Sequence, residues 1–198
     1  MTLKVHCATN YLTGKECQEW LKQHLPPSWE YTDEPDKSDI YLSVLSKTIL
    51  KKDFIDKRPC FNFHFGILPK WKGAGIIPQV IIKGEKRFGI TLHKIDETID
   101  GGEIIDIKYF DILPNNTGEE LFNRSCEKLM EMFKDWAVKL IMRNYWSIPQ
   151  EPQPKIYTHK DMKKLKDITP IIRAFTFKDK ENAFWINSKG EKKYITYE

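Results

Sequence analysis

The sequence predicts an α/β domain on a mainly parallel sheet, with a small C-terminal β-hairpin segment, and three observations carry that prediction. Apolar runs of strand length alternate with stretches of helical period along most of the chain, as strands joined by crossover helices require. Ile40 to Leu45 is an apolar run short enough for a buried parallel strand. Thr117-Gly118-Glu119-Glu120 is a capping box, and it opens the longest helix, which carries Leu121, Phe122, Cys126, Leu129, Phe133, Trp136, Ala137, Leu140 and Ile141 on one stripe.

Taken in order, Leu3 to Ala8 reads as the first strand, and a helix begins at Thr13-Gly14 because Cys17, Trp20, Leu21 and His24 recur at helical spacing. Pro26-Pro27 stops it, since neither proline can donate to a helical ladder. Only about 15 residues lead from that helix to the Asp39-Ile40 strand start. Ile49 to Asp56 reads as a brief helix, and Phe61 to Phe65 as an aromatic strand ended by Gly66 and Pro69. Leu68 to Gly75 is a loop, and Ile76 to Lys83 a helical turn that tolerates Pro78 in its first turn. Arg87 to His93 and Glu103 to Phe110 alternate as strands do, around an acidic, glycine-containing loop from Lys94 to Gly102. The long helix ends near Asn144.

Ser147 to Pro154 holds three prolines and two glutamines in eight residues, the composition of an extended connector. A short helix is expected from Lys160 to Lys166, then strands at Ile171 to Phe177, Ala183 to Ile186 and Lys192 to Tyr197, with a turn at Asn187-Ser188-Lys189-Gly190. The expected organisation is therefore a catalytic domain over 1–146, a connector over 147–159 and a C-terminal helix and hairpin over 160–198. That last piece is too small for a core of its own and must dock on the main domain or on a second subunit.

At 198 residues and 40% hydrophobic, the chain can bury one proper core. A net charge of +4 on 32 basic and 28 acidic residues, with the lysines spread, does not indicate nucleic-acid binding. Cys7, Cys17, Cys60 and Cys126 form no C-x-x-C pair, so neither a zinc site nor a redox motif can be read, and buried thiols in a reducing cytosol are expected. No apolar run approaches the ~18 residues of a membrane span, which makes a cytoplasmic protein the expectation.

The chemistry concentrates at Asn62-Phe63-His64-Phe65-Gly66-Ile67-Leu68-Pro69. Positions two apart in a strand share a face, so Asn62 and His64 point into the same space at a strand end. Asp100, 36 residues after His64, returns in a later loop. An amide donor for a developing oxyanion, an imidazole for an amine proton and a carboxylate to orient the imidazole suit addition of an amine to a carbonyl. Each residue alone is more often a hydrogen-bonded strand or core residue, and Asp96 and Asp106 rival Asp100 for the carboxylate role. His93 reads as structural, bracing the loop that carries Asp100.

Four blocks in order, Asn62-x-His64, Leu68-Pro69-Lys70-Trp71-Lys72-Gly73, Gly89-Ile90-Thr91-Leu92-His93 and Asp96-Glu97-Thr98-Ile99-Asp100-Gly101-Gly102-Glu103-Ile104-Ile105, resemble the folate-dependent formyltransferases. The resemblance implies a Rossmann-like doubly wound fold, shortened here in its N-terminal half, and a formyl group passing from N10-formyltetrahydrofolate to an amine without a metal. It selects Asn62, His64 and Asp100 as catalytic. It implies that Leu68, Pro69, Ile95, Asp96, Gly101 and Gly102 hold the folate, and that Lys70, Trp71 and Lys72 meet the acceptor's phosphates or ring faces. No G-x-G-x-x-G fingerprint supports a dinucleotide. The ending, from Tyr157-Thr158-His159 through Phe184-Trp185-Ile186 to Tyr194-Ile195, is similar to that of the sugar-nucleotide N-formyltransferases. The expected acceptor is thus a nucleotide-linked amino-dideoxy sugar, with glycinamide ribonucleotide, aminoacyl-tRNA or a non-catalytic relative as alternatives. Apolar residues crowded into the C-terminal strands add the expectation of a homodimer.

Overall fold

A computed structural model describes residues 2–152, 155–158, 168–178, 184–186 and 191–194. Its centre is a six-stranded sheet in the order β2-β1-β3-β4-β6-β7. Strands β1 (Leu3–Ala8), β2 (Trp29–Tyr31), β3 (Ile40–Val44) and β4 (Cys60–Phe65) pair in parallel. Strands β6 (Arg87–Lys94) and β7 (Ile104–Asp111) extend the sheet antiparallel, β6 on β4 and β7 on β6. β3 is buried at all five positions, as its apolar run requires.

Helices α1 (Leu12–His24) and α4 (Gly118–Ile141) pack together on one face. Phe63 projects to that face and meets Phe133 of α4 at 5.2 Å between ring centroids, so its neighbours Asn62 and His64 project to the other. The capping box is formed: Thr117 Oγ1 accepts from the Glu120 N–H at 3.2 Å, and Glu120 Oε2 accepts from the Thr117 N–H at 2.8 Å. A cap of this kind stabilises a helix start by about 1 kcal/mol.

The shortened unit is visible as a three-residue edge strand, β2, followed by one 3-10 turn, Pro35–Lys37. Three residues have no period to read, which is why β2 escapes a sequence pattern. Short helices α2 (Lys52–Ile55) and α3 (Ile76–Ile82) flank β4 and the loop after it. That loop pairs its own two-residue strand, β5 (Lys72–Gly73), in parallel with β8 (Ile156–Tyr157) of the connector.

One expected strand is a helix. The β-branched and aromatic content of Ile171 to Phe177 predicts a strand, yet Ile168–Ala174 forms α5, with Pro170 acceptable in its first turn. Tertiary packing overrides the local preference. Arg173 donates through Nη1 to the Pro114 carbonyl and through Nη2 to the Ile81 carbonyl, and the Glu119 N–H donates to Thr176 O at 3.2 Å. Ala174 is fully buried. This part of the C-terminal piece therefore docks on α3 and the start of α4. Strands β9 (Phe184–Ile186) and β10 (Lys192–Tyr194) pair antiparallel as the expected hairpin. The expected helix at Lys160 to Lys166 and the turn at Asn187 to Gly190 lie outside the described residues.

All four cysteines are free. Burial raises the Cys17 and Cys60 thiols to about 12, which makes them inert packing groups. Among the described residues no helix is long and apolar enough to cross a membrane.

Candidate active site

A cavity of about 730 Å³ opens beyond the carboxyl ends of β1, β3 and β4. β1 pairs with β2 on one side and β3 on the other, so the cavity lies where the strand order reverses, the usual position of ligands on an open α/β sheet. Asn62, His64 and Asp100 share its lining with Tyr11, Lys47, Ile49, Ile99 and Ile156. A mainly apolar wall with a few converging polar groups has the character and size of a small-molecule site.

The register of β4 on β6 sets the polar groups. Asn62 lies opposite His93 and His64 opposite Thr91, so four polar side chains share the face away from α4. Asn62 Nδ2 donates to His93 Nε2 at 3.1 Å, while His93 Nδ1 donates to the Lys94 carbonyl at 2.7 Å. Since a carbonyl can only accept, His93 Nδ1 carries a proton, and its Nε2 also lies 3.6 Å from Asp100 Oδ1. Asn62 Nδ2 also lies 3.5 Å from Asp100 Oδ1. That second contact is at the long limit of a hydrogen bond, which leaves one amide proton available to a ligand oxygen.

His64 Nε2 donates to the Trp71 carbonyl at 2.6 Å. The same logic makes Nδ1 its basic nitrogen, and Nδ1 lies 3.5 Å from Asp100 Oδ2. Gly66 permits this arrangement: a Cβ there would stand 2.7 Å from both His64 Nε2 and the Trp71 carbonyl oxygen. Asp100 Oδ2 further accepts from the Gly73 N–H at 2.8 Å. Gly73 takes φ +103, and a Cβ would lie 2.2 Å from the Tyr157 carbonyl oxygen, so only glycine can offer its N–H beneath β8.

Burial lowers the His64 pKa below its ordinary value; Asp100 pulls it back up only in part, and His93 adds to the lowering. The carboxylate neighbour acts to raise it, but desolvation of the imidazolium is the larger effect. Burial pushes the Asp100 carboxyl up, but His64, His93 and the Gly73 N–H outweigh it and hold the group well below the usual carboxylate range. The site at neutral pH therefore pairs a neutral imidazole with an ionised carboxylate.

The rivals of Asp100 are engaged elsewhere. Asp96 Oδ1 accepts from the Thr98 N–H and hydroxyl at 2.8 and 2.6 Å, and Asp106 Oδ2 accepts from Trp136 Nε1 at 2.7 Å. Among the residues expected to hold the folate, Leu68, Pro69, Ile95, Asp96, Gly101 and Gly102 do not line the cavity; their loop contributes Ile99 and Asp100. Leu68, joined to Pro69 by a cis peptide, is buried and donates its N–H to Thr91 Oγ1 at 3.2 Å. Ile95 donates its N–H to the Cys60 carbonyl at 2.8 Å.

The expected acceptor contacts are placed differently. Trp71 is 1% exposed and packs against Tyr157 with the rings tilted and their centroids 4.7 Å apart, a core residue and not an open ring face. Lys70 pairs with Glu85 at 2.7 Å, and Lys72 is buried as part of β5. Lys70, Trp71 and Lys72 are all absent from the cavity lining. What sequence reasoning missed is main chain and distant chain: the Trp71 carbonyl, the Gly73 N–H, and Tyr157 and Gln150 of the connector. Main-chain groups have no side-chain signature, and a proline-rich connector reads as a spacer.

An amide, an imidazole and a carboxylate are thus gathered at the switch point of a mostly parallel α/β sheet. Residues 35–135, just over half of the chain, match the family described as Formyl transferase, and the chain belongs to that family. A methionyl-tRNA formyltransferase from Thermosipho melanesiensis is 36% identical over 151 residues, covering 70% of this chain and 48% of the relative. The chain spans about half the length of the methionyl-tRNA formyltransferases it matches. The fold is shared with a sugar N-formyltransferase from a Shewanella species, at a TM-score of 0.84 and 19% identity over 98% of this chain and 97% of that one. It is also shared with an N-formyltransferase from Helicobacter canadensis in complex with folinic acid and dTDP-3-aminofucose, at a TM-score of 0.74 and 24% identity over 90% and 82% of the two chains.

Proposed function

We propose that the chain moves the formyl group of N10-formyltetrahydrofolate to the amine of a nucleotide-linked amino-dideoxy sugar. The observation that carries the reading is the meeting of Asn62, His64 and Asp100 on one cavity wall, with His64 neutral and its Nδ1 beside an ionised carboxylate. The amine nitrogen bonds to the formyl carbon as the proton on that nitrogen passes to His64 Nδ1. Asn62 Nδ2 donates to the oxygen that gains charge, and Asp100 stabilises the imidazolium. The carbon–N10 bond then breaks, and the proton returns to N10. The cavity's size and apolar wall fit the flat donor, and Ile99 and Asp100 bring the donor-binding loop into it.

An amino-sugar acceptor draws on the sugar N-formyltransferases matched over nearly all of both chains and on the neighbour that holds folinic acid and a dTDP-amino sugar. Methionyl-tRNA is the second reading, favoured by the relative with 36% identity. Release of tetrahydrofolate, followed with dTDP-amino sugars, methionyl-tRNA and glycinamide ribonucleotide in parallel, decides between them. Turnover with the nucleotide sugars is expected, and turnover confined to methionyl-tRNA would replace the reading. Pairing of two copies through the β9–β10 hairpin, in the cytosol, belongs to the same proposal; a monomer in light scattering at micromolar concentration would remove that part.

A further inference from the structure

We propose that Gln150 is a positioning residue for Asp100, its side-chain amide clamping the loop so that the carboxylate is aimed at His64 and the Gly73 N–H. The proposal rests on the catalytic reading of Asn62, His64 and Asp100, and it is independent of which amine accepts the formyl group. Asp100 sits at φ +49, a left-handed conformation that an aspartate adopts more readily than most non-glycine residues but at a cost that its contacts must offset. The first half of the loop is restrained by Asp96 and Thr98. The second half is restrained from outside: Gln150 Nε2 donates to the Asp100 carbonyl at 3.0 Å and to the Gly102 carbonyl at 2.6 Å.

Both amide protons are thus spent on two carbonyls of one loop. Turning the amide over would set three acceptors against each other, so its orientation is fixed. Gln150 Oε1 is buried with no partner among the described residues, a cost that the two donated bonds must offset. Gln150 is itself seated by its neighbours. Ile148 exchanges both backbone hydrogen bonds with Ile104 at 2.8 and 2.9 Å, and Ser147 Oγ donates to Glu103 Oε2 at 2.6 Å. A single antiparallel bridge between Ile148 and Ile104 therefore holds the connector against the residues that follow Asp100. The clamped carbonyl and the carboxylate belong to one residue. Releasing the carbonyl lets the peptide rotate and swings the carboxylate from its place 3.5 Å from His64 Nδ1.

The test is Gln150→Met, which keeps length and volume but removes both donors, with Gln150→Ala as a second variant. With the acceptor found in the parallel assay, kcat is expected to fall about 10- to 100-fold with KM changed less than about threefold, the cost of misplacing a catalytic group by about 1 Å. The His64 pKa, read from its ring resonances by NMR, should move down, as in Asp100→Asn. In an Asp100→Asn background, Gln150→Met should change kcat by less than about twofold, since residues that act through one another do not add. Multiplicative losses in the double variant, or a His64 titration unmoved by both Gln150 variants, would overturn the proposal. If the native protein transfers formyl to no amine, the catalytic reading fails, while the His64 titration still decides whether Gln150 positions Asp100.

Discussion

Replacing Asp100 by Asn removes a charge while keeping the shape of the side chain, and the geometry gives the expected size of the effect. His64 Nδ1 and Asp100 Oδ2 are 3.5 Å apart, and the two side chains are 8% and 14% exposed. At an effective dielectric of ~20, two unit charges at that distance attract by about 4–5 kcal/mol. The residual exposure screens part of this, and about 1–3 pKa units is the usual shift from a close opposite charge. The sign is fixed: burial already holds the His64 pKa below its ordinary value and Asp100 partly restores it, so Asp100→Asn should lower it further. Each unit is about 1.4 kcal/mol withheld from the imidazolium formed during proton transfer, so turnover should drop about 10- to 10³-fold. The measurement is the pH profile of kcat with NMR titration of His64. A kcat within threefold of the native value, or a His64 pKa that stays or rises, would refute the charge coupling.

Asn62→Ala should cost about 10²–10³-fold in kcat with the fold intact, because it removes the amide donor that lies beside His64 and Asp100 on the cavity wall; an equal loss confined to KM would make Asn62 a binding group instead. Trp71→Ala should destabilise the protein by about 3–5 kcal/mol, as loss of a fully buried aromatic does, read from denaturant unfolding; a folded variant with only acceptor KM raised would return Trp71 to a substrate role. The lowered His64 pKa means that the fold prefers the neutral ring, a contribution complete above 6.5 and lost as pH falls below it. Asp100, with its depressed pKa, contributes above 3.8 and loses that contribution only at still lower pH. The thermal midpoint of the native protein should therefore fall between pH 7 and pH 4, and His64→Gln should flatten that fall; an unchanged slope would show that His64 carries no such linkage.

The sequence by itself determined whatever depends on local period and on residues close in the chain. Strand β3 is legible because the mainly apolar run from Ile40 to Leu45, broken only by Ser43, is too hydrophobic to face water, and α4 because its stripe and its capping box lie within one helix. The shared face of Asn62 and His64 follows from the two-residue period of a strand. The choice of Asp100 over Asp96 and Asp106 needed the family resemblance, since all three carboxylates lie within the same loop and strand. Tertiary structure decided everything set by approach between distant segments. α5 is helical because it docks on α3 and α4, against the preference of its own β-branched residues. Trp71 is core and not a ring face because Tyr157, 86 residues later, covers it. His64 falls below its ordinary pKa because three-dimensional burial outweighs a neighbouring charge, and Asp100 is held by a glutamine 50 residues away in a segment that reads as a spacer. Desolvation and clamping are properties of enclosed space, and no window of sequence contains them.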